Sequence, residues 1–272
     1  MPELTIITVN LNNAEGLCKT IKSVANQTFS DFEYIVVDGA STDGSIAIIK
    51  EYNDKISNWI SKPDKGIYQA MNKGIRMANG KYLLFLNSGD FLLNKNVLEN
   101  VFENKPSADM LCGKCNVSEK GKVVWTSNPP QTITFGVLYH IGLAHQSTFI
   151  RRTLFHSFGL YREDFKYNSD IDFWYKAIIL GNATTQAINT IVSDYNLDGI
   201  SSKENQTDKY QFEIDEILSQ SNFHKFIPDY KVWQQEKKDM EIYYWAKSKM
   251  LLNGVIQWAH KLAISRNNKK LK

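Results

Sequence analysis

Cysteine and proline are scarce in this 272-residue chain, three and six residues respectively. A chain of this size buries about three-quarters of its unfolded surface and needs no covalent staples. Cys18, Cys112 and Cys115 are therefore too few and too odd in number for a disulfide framework, and they point to a reducing compartment. Cys112 and Cys115 form a C-x-x-C without a second pair, and the flanking Met110, Leu111 and Val117 read as a strand rather than a zinc or redox site. Long apolar runs are missing too. None reaches the roughly 20 residues of a membrane-spanning helix. The uncharged stretch Thr126 to Ile150 is interrupted by Pro129, Pro130, Gln131, His140, His145 and Gln146, and reads as loop and buried core. Met1-Pro2-Glu3 lacks the basic and apolar regions of a signal peptide, so a cytoplasmic location is the expectation.

Three phosphate-binding signatures are also absent. No G-x-G-x-x-G follows the first apolar run, which excludes the dinucleotide turn of a dehydrogenase. No G-x-x-x-x-G-K-[ST] occurs, which excludes a P-loop. The segment Val9 to Asn13 has neither Gly nor Lys, whereas a nucleotidyltransferase wants a Gly-rich basic loop there.

What is present is ordinary globular composition, 43% hydrophobic and 22% charged, with an uneven charge distribution. Lys231 to Lys272 holds ten basic and three acidic residues, a net of +7; against +3 for the chain, the first 230 residues carry −4. An acidic body with a basic tail is not the footprint of a nucleic-acid-binding fold.

The first half alternates strand and helix patterns. Leu4–Val9, Tyr34–Val37, Asn58–Ser61 and Tyr82–Leu86 read as strands. Leu17, Ile21 and Val24, then Ile46–Tyr52, then Gly66–Ala78, read as helices, the last stopped by Gly80 as a left-handed cap. Continuous apolar strands in this alternation predict an α/β fold, a parallel sheet with helices on both faces. Beyond Asp90 the pattern predicts a helix near Asn96–Asn104 and a hairpin of Met110–Val117 and Lys122–Trp125 turning at Lys120-Gly121. A helix from Asp170 to Leu180 follows, and the chain reads as helical at its end.

In open α/β sheets, ligands collect at the carboxyl ends of the strands. Four loops fall there: Val9–Asn13, Asp38–Gly44, Pro63–Gly66 and Asn87–Asp90. Three carry carboxylates, and a nucleoside diphosphate bound without a glycine-rich loop calls for a divalent cation on a carboxylate at the end of the fourth strand.

The motifs Thr8-Val9-Asn10-Leu11-Asn12, Val36-Val37-Asp38-Gly39-Ala40-Ser41-Thr42-Asp43-Gly44, Asp64-Lys65-Gly66-Ile67-Tyr68, Ala70-Met71-Asn72-Lys73-Gly74 and Phe85-Leu86-Asn87-Ser88-Gly89-Asp90 follow in order. His145-Gln146-Ser147-Thr148-Phe149 and Ser169-Asp170-Ile171-Asp172-Phe173-Trp174 complete the series. Over roughly residues 3 to 200 the chain resembles family 2 glycosyltransferases of the GT-A fold, in particular bacterial enzymes of O-antigen and other surface polysaccharides. The resemblance implies a Rossmann-like, mostly parallel sheet and a catalytic domain over 1–205. Its residues 1–90 would hold the nucleotide sugar and 91–205 the acceptor, and 206–272 would form a helical basic and aromatic extension.

It further implies that Asp38 binds the uracil of a UDP-sugar, with Thr8, Val9, Asn10, Asn12, Asp64, Lys65, Asn87 and Ser88 around the nucleotide sugar. Asp90 would hold Mg²⁺ or Mn²⁺ on the diphosphate, and Asp170 would be the general base of an inverting transfer. His145, Gln146 and Asp172 would lie on the acceptor or donor-sugar side. The chain departs from the family pattern at Asn87 and Gly89, where acids are usual, and at Ser169, where Glu is usual. Implied partners are a UDP-sugar and a glycan or undecaprenyl-diphosphate-linked acceptor.

Plainer roles stand beside these. Asp43 and Ser41 read as helix caps, Lys65 as a surface ion pair or a diphosphate contact, and His145 as a core histidine or a site residue. Residues 231–272, with Trp233, Tyr243, Tyr244, Trp245 and Trp258 among lysines, read either as a peripheral inner-membrane contact or as helices packed on a core or a partner copy. A sugar-nucleotide or glycan-binding protein with weak catalysis is the alternative to an enzyme.

Overall fold

The computed structural model describes residues 1–197, 207–220 and 223–248. They divide into two compact units, Met1–Glu213 and Ile214–Lys272.

The first unit is built on β1 (Leu4–Asn10), β2 (Phe32–Asp38), β3 (Asn58–Ser61) and β4 (Tyr82–Phe85), all parallel in the order β3-β2-β1-β4. Every residue of β1 is buried, as its β-branched run requires of a strand covered on both faces. Helices α1 (Ala14–Ala25), α2 (Ser45–Glu51) and α3 (Ile67–Met77) make the crossovers. Helix α1 starts where Asn13 accepts a hydrogen bond from the Gly16 amide, and buries Leu17, Thr20, Ile21 and Val24 at helical spacing. The chain runs outward through β1, β2 and β3 and returns on the other side of β1 as β4. A topological switch point therefore lies between β1 and β4, at the strands' carboxyl ends.

Helix α3 ends at Ala78 in extended backbone, so Gly80 is not the left-handed cap expected from sequence. Its reason is close approach: a Cβ at Gly80 would stand 2.4 Å from the Thr5 backbone nitrogen.

Beyond β4 the sheet becomes mixed. Among the described residues it has nine strands, continuing through β8 (Thr148–Arg151), β6 (Met110–Glu119), β9 (Thr185–Asn196) and β5 (Phe91–Leu92), with β7 (Lys122–Ser127) on β6. Strand β8 is antiparallel to β4 and β6, and β9 is parallel to β6. The β6–β7 hairpin turns at Lys120 and Gly121, both with positive φ, as a tight hairpin demands. Short helices α4 (Val97–Phe102), α5 (Phe135–His140), α6 (Thr153–Phe158) and α7 (Ser169–Trp174) connect these strands, and α7 continues as a π-helical segment to Leu180. Cys112 and Cys115 are both buried in β6.

Helix α8 (Thr207–Gln220) crosses the division between the units, and α9 (Ile227–Ser248) belongs to the second. Phe226, Trp233 and Met240, seven residues apart, are exposed along one line, while Ile242 and Trp245 are exposed elsewhere round α9. Residues 249–272, with Trp258 and Lys261, lie outside the described residues, as do the side chains of Tyr243 and Tyr244. No helix among the described residues is long and apolar enough to cross a membrane.

Candidate active site

At the carboxyl ends of the first three strands, Asn10, Asp38 and Ser61 close β1, β2 and β3 in one transverse row of the sheet register. The Asp38 side chain is fully buried, and both its oxygens are occupied. Oδ1 accepts from Asn10 Nδ2 at 2.8 Å and from the Ser41 hydroxyl at 2.6 Å; Oδ2 accepts from the Ser41 amide at 2.9 Å and the Ser61 hydroxyl at 2.7 Å. Burial alone would raise its pKa, but the donors from Ser41, Ser61 and Asn10 outweigh that and hold it below the usual carboxylate value. Asp38 therefore organises the loop ends and has no free lone-pair direction for a base. Ser41, expected as a cap, is the second hub of this network, also accepting from the Asn12 amide at 2.8 Å. Asp43 does cap: its carboxylate takes the Ala14 amide at 2.7 Å and the Ser45 amide at 3.1 Å, tying the starts of α1 and α2 together.

What faces the site is Asn10. Its Nδ2 is committed to Asp38, and its Oδ1 is buried with no hydrogen-bond partner. Asp64 stands nearby, ion-paired with Lys73, with both oxygens buried and accepting no hydrogen bond. Gly39 is closely approached there: a Cβ would stand 3.1 Å from Leu11 Cδ1 and 3.5 Å from both the Asn10 backbone oxygen and Asp64 Oδ2. The acceptor-rich floor of Asn10 Oδ1 and Asp64 suits a donor edge such as an imide N–H. Asn12, exposed at φ 48°, accepts from the Thr42 amide at 2.8 Å. Lys65 is exposed, its amide donating to Gln69 at 2.9 Å. Thr8, expected beside the nucleotide sugar, does not reach the exposed edge of the sheet. It is fully buried, donating to the Leu86 carbonyl at 2.7 Å and lying 3.0 Å from the Tyr34 hydroxyl, and Val9 is buried beside it. Strand alternation turns Thr8 and Asn10 to one face, but only Asn10 reaches the edge.

At the end of β4, the Ser88 carbonyl accepts from Asn13 at 2.9 Å, and Thr20 donates to the Asp90 carbonyl at 2.6 Å, so α1 fixes this loop. The Asp90 carboxyl is 6% exposed. Burial pushes its pKa up to about 7; His145 and Lys19 oppose the shift and Asp194, buried on β9, adds to it. Two buried carboxyl groups whose charges interact are suited to a divalent cation. No group of three or more candidate ligands gathers among the described residues. The residues therefore fit an ion that takes one or two carboxylates and completes its shell with phosphate oxygens, as Mg²⁺ does.

Asp170 begins α7. Its Oδ1 accepts from the Ile171 amide and meets the Tyr68 hydroxyl, both at 3.0 Å, while Oδ2 lies 3.5 Å from His145 Nδ1. The Asn87 amide nitrogen is 3.2 Å from His145 Nε2. An amide nitrogen only donates, so Nε2 accepts and the ring proton sits on Nδ1, toward Asp170. Burial works against the imidazolium, but Asp170 and Asp90 outweigh it and raise the pKa of His145. In the charged form, Asn87 turned over would present to Nε2–H its Oδ1, which has no other partner. His145 is thus a site residue joining the Asn87–Asp90 loop to Asp170, with Gln146 buried behind it in the same turn. Asp172 does not belong with them. It is buried and ion-paired with Lys176 one turn on, and two residues along a helix carry it away from Asp170's side.

Sequence reasoning passed over four contributors. Tyr68 was visible inside a motif without a role, and Asp194 sits in a strand whose polar composition hid it. Thr20 and Glu213 carry no local signal. Glu213, 1% exposed, accepts from the amides of Lys166, Tyr167 and Asn168 at 2.7, 3.0 and 3.0 Å and so holds the loop that delivers Asp170.

Comparison with known proteins agrees with this architecture. The profile of Glycosyl transferase family 2 matches residues 5–166. An uncharacterized glycosyltransferase of Mycobacterium tuberculosis is 30% identical over 211 residues, 74% of this chain and 78% of the relative. A PGL/p-HBAD biosynthesis glycosyltransferase of Mycobacterium bovis is 30% identical over 205 residues, 72% and 77% of the two chains. Among solved structures, S. aureus TarS 1-349 in complex with UDP-GlcNAc superposes with a TM-score of 0.61 at 22% identity, over 71% of this chain and 58% of that one. The mannosyltransferase PcManGT of Pyrobaculum calidifontis in complex with GDP-Man and Mn²⁺ gives 0.60 at 14%, over 97% and 81%. At these identities the two structures speak for the GT-A fold alone. Matched over residues 5–166 by the family profile, and by relatives across nearly three-quarters of its length, the chain belongs to glycosyltransferase family 2.

Proposed function

We propose that the protein transfers a hexose or N-acetylhexosamine from a UDP-sugar, with inversion, to a hydroxyl of a glycan or undecaprenyl-diphosphate-linked glycan in bacterial surface-polysaccharide assembly. The observation that carries the mechanism is the pair of carboxyl groups that both act on His145, Asp90 after β4 by its charge and Asp170 at the start of α7 by contact. Asn10 Oδ1, the buried acceptor with no partner, suits the single imide N–H of uracil. The TarS complexes hold UDP and UDP-GlcNAc, which supports a uridine donor.

In the proposed reaction Asp170 Oδ2 takes the proton of the acceptor hydroxyl. The acceptor's hydroxyl oxygen attacks the anomeric carbon in line, and the bond from that carbon to the diphosphate breaks. Asp90, with Asp194 behind it, would hold Mg²⁺ or Mn²⁺, which when bound stabilises the charge on the departing UDP. A cation held there would supply the charge stabilisation that makes a proton donor to the departing diphosphate unnecessary.

The test is a donor screen with UDP-glucose, UDP-galactose, UDP-GlcNAc and UDP-GalNAc, with Mn²⁺ and with EDTA. One donor is expected to release UDP, and EDTA to abolish release. Donor binding without turnover, even with lipid-linked acceptors supplied, overturns the reading in favour of a binding protein.

Contact with an anionic membrane through residues 231–272 is part of the proposal, supported by exposed Trp233 and Trp245 beside exposed Lys237 and Lys238. The full chain is expected to co-sediment with phosphatidylglycerol vesicles and the Lys237→Glu/Lys238→Glu double variant to do so several-fold less; equal sedimentation defeats the idea.

A further inference from the structure

Tyr68 lies in the first turn of α3, nearly buried at 6% exposure, with its ring against Tyr161 at 5.6 Å between centroids. Its hydroxyl has two acceptors in reach, the Tyr167 carbonyl at 2.7 Å and Asp170 Oδ1 at 3.0 Å. A phenol carries one proton and cannot serve both.

We propose that Tyr68 is a positioning residue for the base, its single proton moving between Asp170 and the Tyr167 carbonyl as Asp170 loses and gains charge. While Asp170 is an anion, a charge-assisted bond draws the phenol proton to Oδ1. With Oδ1 held by Tyr68 and by the Ile171 amide, Oδ2 is left as the oxygen that receives the acceptor's proton. Once Oδ2 is protonated, Oδ1 is a weaker acceptor, and rotation about the phenol C–O bond hands the Tyr68 proton to the Tyr167 carbonyl. No proton leaves Tyr68, and neither state strands a buried hydroxyl.

The other titratable groups facing Asp170 are His145 at 3.5 Å, Tyr161 and Tyr210, the last two each feeling its charge. Of these groups, only Tyr68 is placed with a second acceptor for the same proton.

This inference rests on Asp170 being the base. The experiment compares pH profiles of kcat and kcat/KM for the wild type, Tyr68→Phe and Asp170→Asn, with donor binding measured by calorimetry. Tyr68→Phe is expected to bind donor within about twofold of wild type. Its kcat at neutral pH should fall roughly tenfold, and the acidic limb of its profile should move up by about one pH unit, so that activity partly recovers in alkali. A Tyr68→Phe profile superimposable on wild type, with Asp170→Asn inactive, overturns the inference and leaves the base assignment standing. An active Asp170→Asn overturns the base assignment itself. If Tyr68→Phe melts early, 3-fluorotyrosine at position 68 keeps the ring and strengthens the donor. It is expected to move the acidic limb down, and an unmoved limb overturns the inference.

Discussion

Asp170→Asn is expected to reduce sugar transfer by about 10²–10⁴-fold, the usual contribution of a positioned general base, while donor affinity stays within a few-fold of wild type. Asparagine has the shape of aspartate, and its carbonyl can still accept from Tyr68 and the Ile171 amide, the two bonds that hold Oδ1. Its amide nitrogen cannot take a proton. A loss confined to kcat therefore reports the missing base rather than a displaced loop. Transfer within tenfold of wild type, measured with saturating donor and acceptor, would show that the acceptor proton goes elsewhere.

Asp38→Ala is expected to act on stability as well as on nucleotide binding. The substitution removes the acceptor of four hydrogen bonds at once and leaves donors of Asn10, Ser41 and Ser61 facing one another in a buried space. A buried network broken on one side costs about 2–4 kcal/mol, which for a domain of this size lowers Tm by roughly 5–12 °C. The sign with pH follows from the direction of the shift. The folded carboxyl is held below its ordinary value by Ser41, Ser61 and Asn10, so its stabilisation is fully present above the unfolded pKa of about 4 and is lost as pH falls through the folded value. Thermal melts should show a constant gap between wild type and variant from pH 5 to 8 that narrows below about pH 4. A gap that widens on acidification would mean that burial, not hydrogen bonding, dominates at Asp38.

The parallel half of the sheet was legible because its strands are continuous apolar runs broken by polar loops, a pattern with few other solutions. In the second half the β6–β7 hairpin and helices α4 and α7 were legible too, but the order of the sheet was not. Strand β9 mixes Gln186, Asn189, Thr190, Ser193 and Asp194 with Ile188, Ile191 and Val192, so neither alternation nor an apolar run announces it. Its order comes from pairing with β6, some 75 residues earlier, which no window of sequence contains. Gly80 misled because a glycine after a helix usually caps it, whereas here it admits the Thr5 backbone. Within the site, motif order led to Asn10, Asp38, Asp90, His145 and Asp170. What it could not supply was direction: that Asp38 spends all its acceptors inside the protein, that Thr8 turns to the Tyr34 hydroxyl, and that Asp172 pairs with Lys176. Those distinctions depend on which neighbours the fold brings within 3 Å, and spacing along the chain does not encode them.

The capture of three amides by Glu213 has a consequence for how the enzyme is made. The profile match ends at residue 166, at the first of the three amides, and the carboxylate that gathers them is more than forty residues further on. During synthesis the parallel strands β1 to β4, complete by Phe85, can pair while the chain is still short. The loop bearing Asp170 must wait until helix α8 has emerged. A nascent chain thus acquires its parallel sheet before it acquires the anchor of the loop that bears Asp170. A gene cut at the edge of the family match would encode the first without the second.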